Sequence, residues 1–125
     1  NALAMITSLQ CDLVKIASYE ITNLPWVREV AATNIPIIMS CGGARLEEVD
    51  RALSEIFKFH KDVALMHCII KYPADCEDAN LQVIPSLKQA FQITVLGIKM
   101  DQLIFVIFRL QPQVLAWICM RHILL

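Results

Sequence analysis

The sequence lacks the cysteine pairs that hold a zinc ion or a disulfide framework. Its five cysteines include no C-x-x-C pair and no zinc-ligand spacing, and their odd number favours a reducing, cytoplasmic setting. It also lacks a basic and then apolar leader segment, and because it begins with Asn1 rather than Met we expect it to start inside a longer chain. Charged residues interrupt the apolar segment 93–125, so no run reaches the roughly 18 apolar residues of a spanning helix. A zinc module, an exported protein and a membrane span are therefore not expected.

An excess of charge of either sign is missing as well. The 11 basic and 12 acidic side chains are mixed along the chain and give a net charge of −1, so neither nucleic acid nor an anionic membrane is expected as a partner. Hydrophobic residues make up 57% of the 125 positions, which is enough apolar material for one small domain with a buried core. A ligand of this chain would have to be recognised locally rather than by a long-range field.

What is present is a repeated unit of an apolar run followed by a helical pattern. The sequence predicts strands over 13–17, 35–39 and 63–70 and helices over 26–33, 46–57 and 81–91. Strands that are nearly continuous apolar runs, alternating with amphipathic helices, indicate a parallel sheet that is covered on both faces. The fold class predicted is therefore α/β.

A barrel is favoured over an open nucleotide-binding sheet, because no G-x-G-x-x-G or G-x-x-x-x-G-K-[ST] motif follows any strand. Three or four strand-helix units cannot close the eight strands of a TIM (β/α)8 barrel, so we expect part of such a barrel over residues 1–92. Residues 93–125 form an apolar tail without clear strand-helix punctuation.

Lys15 is the first candidate site residue. Alternation along the first strand places Val14 and Ile16 on one face and Lys15 on the other, inside the strand layer, where its ammonium group requires an anion. The anion is either a bound phosphate or carboxylate, or an internal partner such as Glu20 or Asp12. A lysine of lowered pKa that forms a Schiff base is the third interpretation.

Polar residues also follow the ends of the first two strands. Ser18 and Glu20 lie just past the first strand, and Ser40 with Gly42 and Gly43 lies at the equivalent place after the second. Barrel enzymes carry their catalytic groups at this edge, and a hydroxyl beside exposed backbone N–H groups suits a phosphate. The competing interpretations are a solvated loop acid for Glu20 and glycines that only make the turn.

The third strand offers no metal site. His67 and Cys68 are adjacent, so their side chains point to opposite faces, and a packed core histidine is the favoured interpretation. Tyr72 begins a polar loop with acidic residues at 75, 77 and 78. That loop is either a solvated acidic loop or a substrate lid in which Tyr72 offers an aromatic face and a hydroxyl to a sugar.

Three segments taken together resemble the sialic acid synthase family, which includes the legionaminic and pseudaminic acid synthases. They are KIASYEITNLP at 15–25, PIIMSCG at 36–42, and HCIIKYP at 67–73 followed by EDANL at 77–81. Their order and spacing match the family pattern over roughly residues 8–91.

The resemblance implies a (β/α)8 barrel in which phosphoenolpyruvate condenses with an N-acetylated aldose such as N-acetylmannosamine. The products are a nine-carbon keto acid and phosphate, and a divalent metal, Mn or Mg, polarises the aldehyde. By position, Lys15, Ser18 and Ser40 would contact phosphoenolpyruvate, Glu20 would be the catalytic residue beside the reacting carbons, and Tyr72 would line the amino-sugar pocket. The resemblance also implies a homodimer.

The sequence departs from the family in places that matter. The family's next strands end in Ser-Asp-His and Glu-Lys-His, whose histidines bind the metal, and neither motif occurs here, so no metal ligand is assigned. Ile70, Cys41 and Gly43 replace commoner family residues, and the tail matches no family motif, as a frameshift or a wrongly joined fragment would produce. We also expect no counterpart of the family's small C-terminal antifreeze-like domain within these 125 residues.

Catalysis by this chain alone is consequently not expected. The alternatives to an inactive relative of the synthases are a Schiff-base aldolase that uses Lys15 and a non-catalytic, self-associating protein with exposed sheet edges.

Overall fold

The computed structural model describes residues 2–71, 75, 77–99 and 103–105 of the chain. The helices in this part are α1 (Ala2–Ser8), α2 (Leu24–Ala31), α3 (Leu46–Ile56) and α4 (Val83–Phe91). The strands are β1 (Val14–Ile16), β2 (Ile37–Ser40), β3 (Val63–His67), β4 (Thr94–Lys99) and β5 (Leu103–Phe105). Two 3₁₀ turns, Ser18–Glu20 and Glu77–Ala79, follow β1 and β3.

The strands form one sheet in the order in which they occur in the chain. The first four strands are parallel, with Val14 opposite Ile37, Ile37 opposite Val63, and Ala64 opposite Thr94. Of the strands that the structure describes, β5 alone runs antiparallel, against the end of β4. Consecutive parallel neighbours joined by helices are the arrangement of a (β/α)8 barrel, so the α/β prediction is confirmed.

The core lies between the helices and one face of the sheet. Every second residue of β1 and β2 points into it, and α3 adds residues at helical spacing. The largest side chains that are fully buried are Ile16, Ile21, Ile37, Met39, Leu53, Ile56, Leu65, Val27, Val30 and Val49. Burying one such side chain contributes roughly 1.5–3 kcal/mol, so the core stabilises the sheet from one side.

Side-chain hydrogen bonds mark the start of α3 and connect its other end to α2. The N–H of Arg45 donates to the Oε2 atom of Glu48 at 2.8 Å, one half of a capping box. Near the other end of the helix, Glu55 accepts from Arg28 of α2 at 2.9 Å and from Lys58 at 2.7 Å. These hydrogen bonds, first from Arg28 and then from Lys58, lower the pKa of Glu55 to about 2. The side chain of Glu55 thereby links α2 to α3.

The sequence located the repeated units but not every boundary. Helix α1 was not expected, and β3 ends at His67 rather than at residue 70. The strand is shorter because the parallel pairing with β2 and β4 stops at Ser40 and Gly97, after which the backbone has no strand partner. Residues 106–125 of the expected tail lie outside the described residues.

Candidate functional site

Lys15 and Ser40 lie on the sheet face opposite the helix-packed core. Lys15 stands across from Ile38 in the register of β1 and β2, and Ser40 is two residues further along β2, on the same face as Ile38. The predicted alternation is confirmed, but the Lys15 side chain is exposed rather than enclosed in the strand layer. Among the described residues, the ion pairs do not include Lys15, so the internal pair with Asp12 or Glu20 that the sequence allowed is not formed.

Ser18 connects the ends of three strands. It lies in the 3₁₀ turn after β1, where its Oγ atom accepts the N–H of Gly42 at 3.2 Å and lies 3.1 Å from the Sγ atom of Cys68. The N–H of Gly42 was expected to be exposed and ready for a phosphate; instead it is buried and donated to Ser18. The N–H of Gly42 is therefore not free to bind a phosphate, and the half-buried hydroxyl of Ser18 lies beside it.

Gly42 is required at its position by the closeness of β3. A Cβ atom built on Gly42 would lie 2.7 Å from both the carbonyl oxygen and the Sγ atom of Cys68. Because one of these atoms belongs to the backbone, any larger residue would push the ends of β2 and β3 apart. The missing side chain keeps Ser18, Gly42 and Cys68 in contact.

Ser40 ends β2 as a buried polar residue with a weak partner. Its side chain is 2% exposed, and its Oγ atom lies 3.7 Å from the thioether sulfur of Met66. A thioether is a weak acceptor, so the Ser40 hydroxyl keeps most of its capacity to bind a stronger one.

Glu20 is exposed, and its Oε2 atom accepts from the Nδ2 atom of Asn23 at 3.0 Å. Asn23 precedes α2, so the pair ties the 3₁₀ turn to the start of that helix. Glu20 thus lies at the edge that the sequence predicted, as a solvated carboxylate with one hydrogen-bond partner.

Ion pairs connect residues of the loop after β3. Tyr72, the predicted sugar contact, lies outside the described residues. The Nζ atom of the preceding Lys71 contacts Asp78 at 2.7 Å and Asp75 at 2.9 Å, and these hydrogen bonds, that of Asp78 first, raise the pKa of Lys71. The acidic loop is therefore partly neutralised by its own lysine.

His67 and Cys41 have structural partners. The Nε2 atom of half-buried His67 lies 2.9 Å from the carbonyl oxygen of Ala79 and links β3 to the second 3₁₀ turn. The Sγ atom of Cys41 donates to the carbonyl oxygen of Met66 at 3.4 Å. Burial, and then the nearby Cys68, raises the pKa of the Cys41 thiol to about 11, which makes it a poor nucleophile.

The residues that the structure describes do not form a ligand set for the metal that the family resemblance implies. Among the described residues, no three His, Cys, Asp or Glu side chains come together in the way that a metal ion requires. The same part of the chain contains no helix long and apolar enough to cross a membrane.

A parallel sheet whose strands follow one another in chain order, with helices between them, defines part of a (β/α)-barrel protein. The model of the NeuB family matches residues 1–98. The chain belongs to the NeuB family. The match extends beyond residues 8–91, the range that the sequence motifs predicted, and it includes most of β4.

Named relatives agree with this assignment. The spore coat polysaccharide biosynthesis protein SpsE of Bacillus subtilis is 43% identical over 94 residues, which cover 74% of this chain and 25% of that protein. The N,N'-diacetyllegionaminic acid synthase of Campylobacter jejuni is 38% identical over 98 residues, covering 76% and 29%. The N-acetylneuraminate-9-phosphate synthase of Drosophila melanogaster is 30% identical over 123 residues, covering 98% and 33%.

The fold is similar as well. The crystal structure of Bacillus subtilis SpsE superposes with a TM-score of 0.75 at 39% identity, covering 77% of this chain and 27% of that structure. The chain spans between a quarter and a third of the length of these three relatives.

Proposed function

We propose that this chain forms the phosphoenolpyruvate-binding part of a sialic acid-type synthase. The observation that carries the proposal is the placement of one cation and two hydroxyls on the neighbouring strands β1 and β2: Lys15 lies within β1, and Ser18 and Ser40 lie at the carboxyl ends of β1 and β2. A trianionic phosphate ester with a carboxylate needs a cation and hydrogen-bond donors, and these three residues are of that kind.

In the proposed reaction, C3 of phosphoenolpyruvate attacks the aldehyde carbon of an N-acetylated aldose such as N-acetylmannosamine. Water adds at C2, and the C2–O bond to phosphate then breaks, which gives a nine-carbon keto acid and inorganic phosphate. Lys15, Ser18 and Ser40 bind the phosphate and carboxylate groups. We propose Glu20 as the catalytic carboxylate that stabilises the positive character at C2 or orients the water, and Tyr72 as a contact of the amino sugar.

The metal, the cellular location, the oligomeric state and the domain boundary of the proposed synthase are further parts of the proposal. The family chemistry uses Mn or Mg, but the described residues supply no ligand set, and no step above depends on a metal. A cytoplasmic location, which rests on the cysteine content, and a homodimer, which rests on the family resemblance, stay predictions. The division of the chain at residue 92 also stays a prediction, because the family match itself ends at residue 98.

The test is a calorimetric titration of the 125-residue chain with phosphoenolpyruvate, with and without manganese. We expect saturable binding that Lys15→Ala weakens about 10- to 100-fold, the loss that corresponds to one charged hydrogen bond. Lys61→Ala is the matched control, because Lys61 is an exposed lysine at the opposite edge of the sheet, just before β3. No binding by a folded wild-type chain, or equal binding by Lys15→Ala, would reject the proposal.

A further inference from the structure

The Oγ atom of Ser18, which we propose as a ligand contact, already has two polar neighbours. A serine hydroxyl has one proton to donate and two lone pairs that accept. The N–H of Gly42 fills one lone pair at 3.2 Å, and the Sγ atom of Cys68 lies 3.1 Å away. Whether Ser18 can donate to a ligand therefore depends on which of the two groups, the hydroxyl or the thiol, donates to the other.

Two proton arrangements fit the contact with Cys68. If Ser18 donates to the sulfur, its only proton is used and it has nothing for an anion. If the thiol donates to Oγ, both lone pairs of Ser18 are filled and its proton is free to point at a ligand. Phosphate and carboxylate oxygens accept hydrogen bonds more strongly than a thiol sulfur does, so a bound anion favours the second arrangement.

The missing side chain of Gly42 leaves room for the thiol of Cys68. The carbonyl oxygen and the Sγ atom of Cys68 occupy the space beside Gly42 where a Cβ atom would otherwise lie, each 2.7 Å from that position. Cys68 is half-buried and follows β3 directly, so its position is set by the strand. The sulfur thus lies in the space that Gly42 leaves beside Ser18.

We propose that Cys68 is a positioning residue for Ser18: its thiol donates to Oγ and thereby commits the Ser18 hydroxyl to donate to an anionic ligand. The inference rests on the proposed function, because it assigns Ser18 to the binding of phosphoenolpyruvate. With the anion bound, Ser18 accepts from Gly42 and from Cys68 and donates its proton outward, so every hydrogen-bonding position is used.

The first experiment compares Cys68→Ala and Cys68→Ser in titrations of the full chain with phosphoenolpyruvate and, separately, with inorganic phosphate. Cys68→Ala removes the donor that orients Ser18, so the Ser18 hydroxyl can turn its proton away from the ligand, and we expect about three- to tenfold weaker binding of phosphoenolpyruvate. Cys68→Ser keeps a donor of similar size, and we expect it to restore most of the affinity. Cys11→Ala is the control, because Cys11 lies before β1, at the opposite edge of the sheet.

The second experiment needs no ligand. The infrared S–H stretching band of Cys68 is isolated by subtracting the spectrum of Cys68→Ser from that of the wild type. A thiol that donates absorbs at lower wavenumber than a free one, so we expect the band to move to higher wavenumber in Ser18→Ala. A merely space-filling Cys68 would show no such shift.

The outcomes separate this inference from the proposed function. An S–H band that does not respond to Ser18→Ala, or unchanged affinity in Cys68→Ala, overturns the role of Cys68. If Cys68→Ala does not fold, the role of Cys68 is tested by the band shift and by the affinity of Cys68→Ser. Weak binding by Cys68→Ser counts against the inference. A shifted band in a folded wild-type chain that binds neither phosphoenolpyruvate nor phosphate rejects the proposed function instead, while the thiol-to-hydroxyl hydrogen bond stands.

Discussion

Gly42 shows how a single residue without a side chain can set the geometry of a site. Its N–H binds Ser18, and its empty Cβ position lets the end of β3 approach through Cys68. The constraint is steric and comes from the backbone, so it cannot be relieved by choosing another rotamer.

We predict that Gly42→Ala destabilises the chain by about 1–3 kcal/mol, because the added carbon overpacks the junction of β2 and β3. The measurement is the free energy of unfolding in urea. The control is Gly43→Asn: Gly43 is exposed with φ +70°, a conformation that Asn tolerates, and its nearest neighbour is the flexible end of Ile70. Equal stability of Gly42→Ala and the wild type would mean that the strand ends yield more easily than the contact distances indicate.

At the scale of elements, α3 carries both a buried and an exposed leucine. Leu53 is 1% exposed and packs in the core, whereas Leu46 in the first turn is 58% exposed. The same residue type on one helix therefore allows burial to be tested alone.

We predict that Leu53→Ala costs about 2–5 kcal/mol, through lost burial and the cavity it leaves. Leu46→Ala should change the free energy of unfolding by less than about 0.5 kcal/mol, as exposed substitutions usually do. Denaturant unfolding followed by circular dichroism measures both variants. Similar losses in the two would show that α3 does not pack on the sheet as described.

The link between α2 and α3 gives a prediction about pH. The pKa of Glu55 falls from its ordinary value of 4.5 to about 2 in the folded chain, so the unfolded state binds the proton more readily. The stabilisation is present in full above pH 4.5 and is lost as the pH falls through about 2.

Glu55→Gln should accordingly lower the urea midpoint at pH 7, and the gap to the wild type should shrink between pH 4.5 and pH 2. Glu29→Gln is the matched control, since Glu29 is an exposed carboxylate on α2 outside the Arg28 and Lys58 contacts. A gap that stays constant down to pH 2 would contradict the ion-pair explanation.

The elements show what the sequence could and could not predict. Apolar runs and helical spacing located β1, β2, β3 and the helices after them, because those signals depend only on which face is buried. The exposure of Lys15 was missed because alternation tells which face a residue is on but not what covers that face. The contact of Ser18 with Cys68 joins residues 50 positions apart, so no local pattern could indicate it.

At the scale of the whole molecule, the site depends on strand order. Because β1, β2 and β3 are neighbours in the sheet as well as in the chain, their three following loops meet at one edge. The segments that carry the family motifs include the starts of these loops, and the loops follow the strands that the apolar runs predicted. The hydrogen-bond directions within the edge, such as Gly42 donating to Ser18, had to come from the structure.

The reversed direction of β5 has a consequence for how the sheet can grow. A (β/α)8 barrel adds strands in parallel, yet Leu103–Phe105 runs antiparallel along residues 97–99 of β4. The second half of β4, residues 97–99, is thus already paired on that side. A further parallel strand that pairs with this part of β4, from any source, has to displace β5. Extension of the barrel here therefore requires one strand to replace another.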